Sequence, residues 1–104
     1  MVFGGVDESG KHLNDIHALC TDLWNWYKPT VRNAPPKARS YHSATAVGHH
    51  MLVFGGNGQS KSFKEVYYLD TETWAWSEPE TTGELPRPRT GHTATASPDG
   101  RCVT

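Results

Sequence analysis

Two glycine-containing segments are the first place where residue types and spacing could support chemistry. Both are near matches to the phosphate-binding pattern G-x-x-x-x-G-K-[ST]. Residues 5–11 fit until His12 takes the hydroxyl position, and the segment from Gly55 carries Ser60 in place of the second glycine. A phosphate-binding loop must lead into a helix whose N-terminal amides face the phosphate. Here each loop leads into a β-type stretch, so the sequence predicts no nucleotide site and no cofactor.

Six histidines raise the possibility of a metal site. His49 and His50 are neighbours on a predicted turn, where we expect their side chains to diverge. His12 and His17 are separated by a predicted loop-to-strand junction. No cysteine pair and no His-x3-His spacing supports zinc. No Ser-His-Asp or Cys-His set can be assembled either, so we predict no metal ligands and no catalytic residues.

The elements that carry these segments form an internal repeat. Three sequence anchors recur at a period of about fifty residues: residues 2–5 return as 53–56, residues 19–26 as 69–76, and residues 39–46 as 89–96. Such a period indicates a repeat architecture, in which each unit needs its neighbours to bury its surface.

Each unit divides into short extended pieces separated by turn residues. In the central unit the predicted strands cover residues 43–47, 51–54, 66–69 and 73–76. Side-chain size grows along them, from Ala and Ser to Tyr and Trp. Small residues suit the narrow centre of radially arranged sheets and large aromatics suit the rim, so the gradient favours a propeller blade over a flat sandwich.

In the last predicted strand of each unit, tryptophans lie two residues apart. Residues that far apart in a strand share a face. We therefore expect Trp24 and Trp26, and likewise Trp74 and Trp76, to point the same way into the core between units.

Composition excludes several function classes. A formal net charge of −1 gives no electrostatic reason to bind nucleic acid or an anionic membrane. No apolar run approaches the roughly 20 residues of a membrane span. Cys20 and Cys102 do not make a disulfide framework. We expect a cytoplasmic location, with association to the cytoskeleton as a possibility left open.

Several separated motifs resemble the kelch repeat over essentially the whole chain. They are hydrophobic residues leading into Gly-Gly, Tyr67 before Leu69-Asp70, Trp76, and Arg89-x-x-His92-x-Ala94. The first unit departs from the pattern at His17, which replaces an aromatic residue, and at Cys20, which replaces Asp or Asn. The resemblance implies an all-β fold of kelch-type β-propeller blades, each a four-stranded antiparallel meander, in an incomplete propeller.

The blades are predicted from the repeat. Residues 1–38 form a first blade without its inner strand, residues 39–88 a complete second blade, and residues 89–104 the truncated inner strands of a third, with 101–104 aligned to 51–54. Closed propellers need about four to eight blades. We therefore expect a piece of a longer protein, which alone is unstable or self-associates.

Residues that recur at the repeat period are expected to be structural, because an active site rarely repeats with its scaffold. Arg39 and Arg89 would tie the inner strand to an adjacent turn or blade; alternatively, they line the propeller mouth and bind an acidic ligand. The structural repeat positions are Gly4, Gly5, Gly55, Gly56, Trp26, Trp76, Tyr67, Arg39, Arg89, His42 and His92.

Function is expected in the long connections, at residues 6–14, 28–38, 57–64 and 77–88, which a meander places on one face. We call this the long-loop face. Its mixed charges suit a protein or peptide partner. The candidate partner-binding residues are Asp7, Glu8, Lys11, Arg32, Lys37, Asn57, Gln59, Lys61, Lys64 and Arg87.

The sequence thus predicts a non-catalytic interaction or scaffold module, whose partners are another protein and further kelch blades. Two alternatives stay open. The blades could belong to an enzyme, or to a protein with a fused catalytic or ubiquitin-ligase adaptor domain. They could also be a structural component of a cytoskeletal or ciliary assembly.

Overall fold

A computed structural model describes residues 1–104 as seven β-strands in two antiparallel sheets. The first sheet has the order β1-β2-β3 and the second the order β4-β5-β6-β7, so each is a meander in which chain neighbours pair. The fold contains no helix that could serve as a membrane-spanning segment. The strands are β1 (Val2–Val6), β2 (His12–Cys20), β3 (Asn25–Tyr27), β4 (Ser43–Val47), β5 (His50–Phe54), β6 (Val66–Asp70) and β7 (Ala75–Ser77).

The second sheet contains the four strands predicted for the central unit, but its last strand begins later than expected. Asp70 Oδ1 accepts hydrogen bonds from the amides of Glu72 (2.8 Å) and Thr73 (3.3 Å), and Trp74 has a φ of 57°. The side-chain bonds stabilise a turn through Trp74. Strand β7 therefore starts at Ala75. The prediction that both tryptophans of a unit share one strand face is wrong, because Trp74 and Trp24 lie in turns.

The first sheet has a shorter connection than the sequence suggested. Asp7 Oδ1 accepts from the Ser9 amide (2.9 Å), the Ser9 hydroxyl (2.7 Å) and the Lys11 amide (2.9 Å). These bonds stabilise a short turn between β1 and β2. They also lower the pKa of the Asp7 carboxyl, and the Ser9 hydroxyl contributes most. Strand β2 begins at His12, so the loop predicted over residues 6–14 is a tight turn between two strands.

The core lies where the two sheets pack together. Phe3 and Ile16 come from the first sheet, and their rings and methyl groups meet buried side chains of the second, among them Trp76. The Phe3 and Trp76 ring centroids are 5.0 Å apart. Burial of such side chains stabilises the fold by about 1.5–3 kcal/mol each, so the apolar contact between units is a major stabilising term.

The C-terminal residues form a small hairpin against the second sheet. Thr95 and Thr104 exchange two backbone hydrogen bonds (2.8 and 2.9 Å), and Thr45, one repeat before Thr95, pairs in register with Leu52 in the second sheet. Thr104, and not Cys102, therefore takes the place of Leu52. The predicted alignment of residues 101–104 with 51–54 is wrong because the turn around Asp99 is longer than the β4–β5 turn.

Candidate functional site

A backbone contact recurs wherever a diglycine meets the following unit. The amide of Gly5 donates to the carbonyl of Arg39 (2.8 Å), and the amide of Gly56 donates to the carbonyl of Arg89 (2.8 Å). A methyl group at Gly56 would lie 2.7 Å from the Ser40 carbonyl oxygen. The approach of Ser40 and His42 therefore leaves no room for a side chain at Gly56, which is a physical reason for glycine at that position.

The two arginines at these junctions have different surroundings. Arg39 is 1% exposed; its Nη1 donates to the Gly55 carbonyl (3.0 Å), its Nε donates to the Lys37 carbonyl (3.0 Å), and its guanidinium lies 4.0 Å from the centre of the Phe63 ring. Burial lowers the pKa of Arg39. Arg89 is exposed and donates from Nε to the Arg87 carbonyl (3.1 Å). Of the two guanidinium groups, Arg89 is the one that an acidic ligand could reach from solvent.

The repeated histidines pack edge-on against phenylalanine rings. The ring centroids of His42 and Phe3 are 5.4 Å apart, and those of His92 and Phe54 are 5.3 Å apart. His92 Nε2 also lies 2.9 Å from the Ser43 hydroxyl. Burial, and then the positive charge of Arg39, lowers the pKa of His42. The uncharged form is favoured, as suits a ring packed between two sheets.

Most of the candidate partner-binding residues are exposed. Those at the surface are Asp7, Glu8, Lys11, Arg32, Lys37, Gln59, Lys61, Lys64 and Arg87. They come from separate connections, and only short-range contacts between them are present, such as the Asp7–Lys11 turn. They do not converge on a pocket, and Arg32, which pairs with Ala75, lies beside the start of β7 next to the β6–β7 turn.

Two candidates have positions that the sequence did not indicate. Asn57 is half-buried and exchanges two backbone hydrogen bonds with Ser40 (2.9 Å each). Arg32 is fixed along the outer edge of β7, where its amide donates to Trp74 (2.7 Å) and its carbonyl accepts from Trp76 (3.1 Å). The backbones of both residues are hydrogen-bonded to other segments of the chain. Parts of the long connections are therefore held in place and are not free loops.

A cluster that sequence reasoning missed lies at the opposite end of the second sheet. The rings of His49 and His50 are 4.6 Å apart between centroids, so the expectation that these side chains diverge is wrong. His50 pairs in register with Asp70, and their side-chain atoms Nε2 and Oδ2 are 3.8 Å apart. The predicted meander could have indicated this cluster, because its short turns place the β4–β5 turn beside the end of β6.

The two antiparallel sheets agree with a known protein family. The model of the KLHDC2/KLHL20/DRC7 Kelch-repeats domain matches residues 1–104. The chain belongs to the kelch-repeat family. Its two antiparallel meanders are blades of a partial kelch propeller, as the sequence resemblance predicted.

Several curated proteins are similar to about half of the kelch chain. Host cell factor 1 of Homo sapiens is 43% identical over 56 residues, and Kelch domain-containing protein 3 of Homo sapiens is 41% identical over 56 residues. Dynein regulatory complex subunit 7 of Chlamydomonas reinhardtii is 40% identical over 57 residues. These matches cover 54%, 53% and 55% of the chain, and 3%, 15% and 5% of the respective relatives.

Proposed function

We propose that this chain is a non-catalytic protein-interaction module that binds a partner through the long-loop face. The observation that carries the proposal is the exposure of the charged side chains in the connections. The diglycine amides and the arginine carbonyls are used in contacts between units, such as the Gly5–Arg39 and Gly56–Arg89 hydrogen bonds. The charged side chains of the connections point to solvent on a rigid scaffold, where binding residues are commonly found.

The charges of the long-loop face suit another protein better than a polyanion. Asp7 and Glu8 are followed by Lys11 in one turn, whereas Lys61 and Lys64 lie in the connection before β6. A surface with both signs favours a partner of complementary pattern, and such patterns determine specificity and association rate more than raw affinity.

Further kelch blades are the second kind of partner that we propose. Trp24 and Trp26 are 72% and 58% exposed on the first sheet, next to exposed Leu23 and Tyr27. At the equivalent position of the second sheet, Trp76 is covered by Phe3 of the preceding unit. The same head-to-tail contact, made by another blade, would cover the exposed aromatic side chains of β3 and its turn.

Charge reversal on the long-loop face tests the interaction proposal. Lys61→Glu combined with Arg87→Glu should abolish capture of proteins that the unmodified kelch protein retains from a lysate, scored by quantitative mass spectrometry. Asp22→Lys, an exposed change in the β2–β3 turn away from that face, is the matched control. Unchanged capture by the double variant would remove the long-loop face from consideration.

A second candidate role is that of a structural component of a cytoskeletal or ciliary assembly. It is favoured by the similarity to Dynein regulatory complex subunit 7. Under this proposal the protein resides in the cytoplasm and is retained in the detergent-insoluble cytoskeletal fraction of cells. Complete recovery in the soluble fraction as a monomer would argue against it.

A further inference from the structure

Four possible metal ligands lie together on two adjoining turns of the second sheet. His49 and His50 belong to the β4–β5 turn and the start of β5, whereas Asp70 and Glu72 belong to the end of β6 and the turn after it. His50 Nε2 is 3.8 Å from Asp70 Oδ2, and His49 Nε2 is 3.9 Å from Glu72 Oε2. One ligand atom from each of His49, His50 and Asp70 lies within 4.8 Å of the other two.

Hydrogen bonds hold the two turns in fixed positions. The carbonyl of His49 accepts from the amide of Thr71 (2.8 Å) and from its hydroxyl (2.6 Å). Asp70 Oδ1 accepts from the amides of Glu72 and Thr73, which leaves Oδ2 directed at the His50 ring. Backbone motion is thereby restricted, and only side-chain rotations remain to adjust the ligand atoms.

The cluster is not explained by the repeat. The C-terminal hairpin carries its turn at residues 97–102, with Asp99 and Gly100 and without any histidine. In that hairpin Asp99 bonds only within its own turn, to the Ser97 hydroxyl (2.6 Å) and the Arg101 amide (3.0 Å). The adjacent histidines are therefore particular to one unit, and the scaffold does not require them.

We propose that His49, His50 and Asp70 form a zinc-binding site, with Glu72 as a fourth ligand. Two imidazoles and carboxylate oxygens are a ligand set that Zn²⁺ accepts. Tetrahedral bonds of about 2.0–2.1 Å place ligand atoms roughly 3.3 Å apart. The ligand atoms of the three residues that lie within 4.8 Å must therefore close by about 1.5 Å at most. His49 and Glu72 are exposed and can make that movement without disturbing the core.

Zinc at this position would link the β4–β5 turn to the β6–β7 turn. The ion would thereby stabilise the complete blade at the end opposite the long-loop face. Because a ligand that binds only the folded chain raises its stability, the melting temperature should increase with zinc concentration. The proposal does not depend on the proposed interaction function, since the two concern different ends of the sheet.

Calorimetric titration of the full chain with zinc chloride tests the site. We expect one zinc ion per chain and no comparable heat with magnesium chloride, because Mg²⁺ prefers oxygen ligands. His49→Gln and His50→Gln should each weaken binding by more than about tenfold, the minimum commonly seen even when an outer-shell partner is removed. Asp70→Asn keeps an oxygen for the turn and should weaken binding through loss of the charged ligand.

His17→Gln is the matched control. His17 Nε2 lies 2.9 Å from Asp15 Oδ2, so it is a histidine–carboxylate pair without a third ligand. Its replacement should leave zinc affinity and the zinc-dependent rise in melting temperature unchanged. Circular dichroism checks that each variant keeps its β-sheet. Absence of zinc binding by the unmodified chain, or binding unaffected by both His49→Gln and His50→Gln, would overturn the proposal.

Discussion

Trp26 and Trp76 occupy the same position in two successive units, yet their environments are opposite. Trp26 is 58% exposed at the edge of a three-stranded sheet, whereas Trp76 is 2% exposed and in contact with Phe3. The local pairing is the same, since Trp26 pairs with Leu19 as Trp76 pairs with Leu69. The difference comes from the presence of a neighbouring unit on one side.

The comparison shows that these tryptophan side chains become buried only where two units are in contact. A single sheet supplies the aromatic side chain, and the preceding unit supplies the phenylalanine and the backbone that cover it. Residues 31–33 add to this cover, because Arg32 pairs with the edge of β7 and the Asn33 side chain donates to the Trp76 carbonyl (3.1 Å). Identical repeat positions should therefore respond differently to the same substitution.

The tryptophan pair should give the largest contrast. Trp76→Ala is expected to reduce the free energy of unfolding by about 3–5 kcal/mol, the usual cost of removing a buried aromatic side chain. Trp26→Ala should change it by about 0.5 kcal/mol or less, as is usual at the surface. Urea denaturation followed by circular dichroism measures both. Equal costs would show that the covering unit does not determine the burial energy.

The arginine pair should differ next. Arg39→Lys keeps the charge but loses the fork that bonds the Gly55 and Lys37 carbonyls, so we expect a loss of about 2–3 kcal/mol. Arg89→Lys should cost about 0.5 kcal/mol or less because Arg89 is exposed. Urea denaturation of the two arginine variants measures both changes in the free energy of unfolding. A large effect of Arg89→Lys would contradict the environment described for it.

The second glycine of each diglycine offers a finer contrast. Gly5 and Gly56 both have positive φ, 104° and 87°, so alanine is strained at either position. Only at Gly56 would the new methyl group meet backbone atoms, because no atom lies within 4 Å of that place at Gly5. Gly56→Ala should cost about 1–3 kcal/mol more than Gly5→Ala, the range typical of overpacking. Similar melting temperatures for the two variants would be the contrary result.

The pH dependence should give the smallest effect. The folded chain lowers the pKa of His42 from its ordinary 6.5, so the unfolded chain binds more protons below that pH. The free energy of unfolding should therefore fall as the pH is lowered from about 7.5 to 5.5. His42→Gln should reduce this slope. An unaltered slope in His42→Gln would exclude His42 as its source.

The strands and the repeat were predictable because both depend on local side-chain patterns. Alternating small and β-branched residues predicted β4 through the run at residues 43–47, and the predicted strand at 66–69 lies within β6. The late start of β7 was not predictable from that alternation, since the Asp70 side chain stabilises a turn through Trp74 that strand propensity does not reveal.

The contacts that the sequence left out are the long-range ones. Arg32 pairs with β7 although the two are more than forty residues apart in the sequence, and Phe63, in the predicted loop over residues 57–64, packs against the guanidinium of Arg39. The proximity of His49 and His50 to Asp70 depends on the register between β5 and β6. Register follows from how whole strands pack, and single residue types do not specify it.

The most direct test of the central claim is to place a further blade before the first unit and measure Trp26 again. Residues 39–88 followed by residues 39–51 would be fused before Met1. The added copy of Phe54 would then lie beside Trp26, as Phe3 lies beside Trp76. We predict that the cost of Trp26→Ala in urea denaturation rises from about 0.5 kcal/mol to about 3 kcal/mol or more in the extended protein. An unchanged cost in an extended protein that folds would contradict the account.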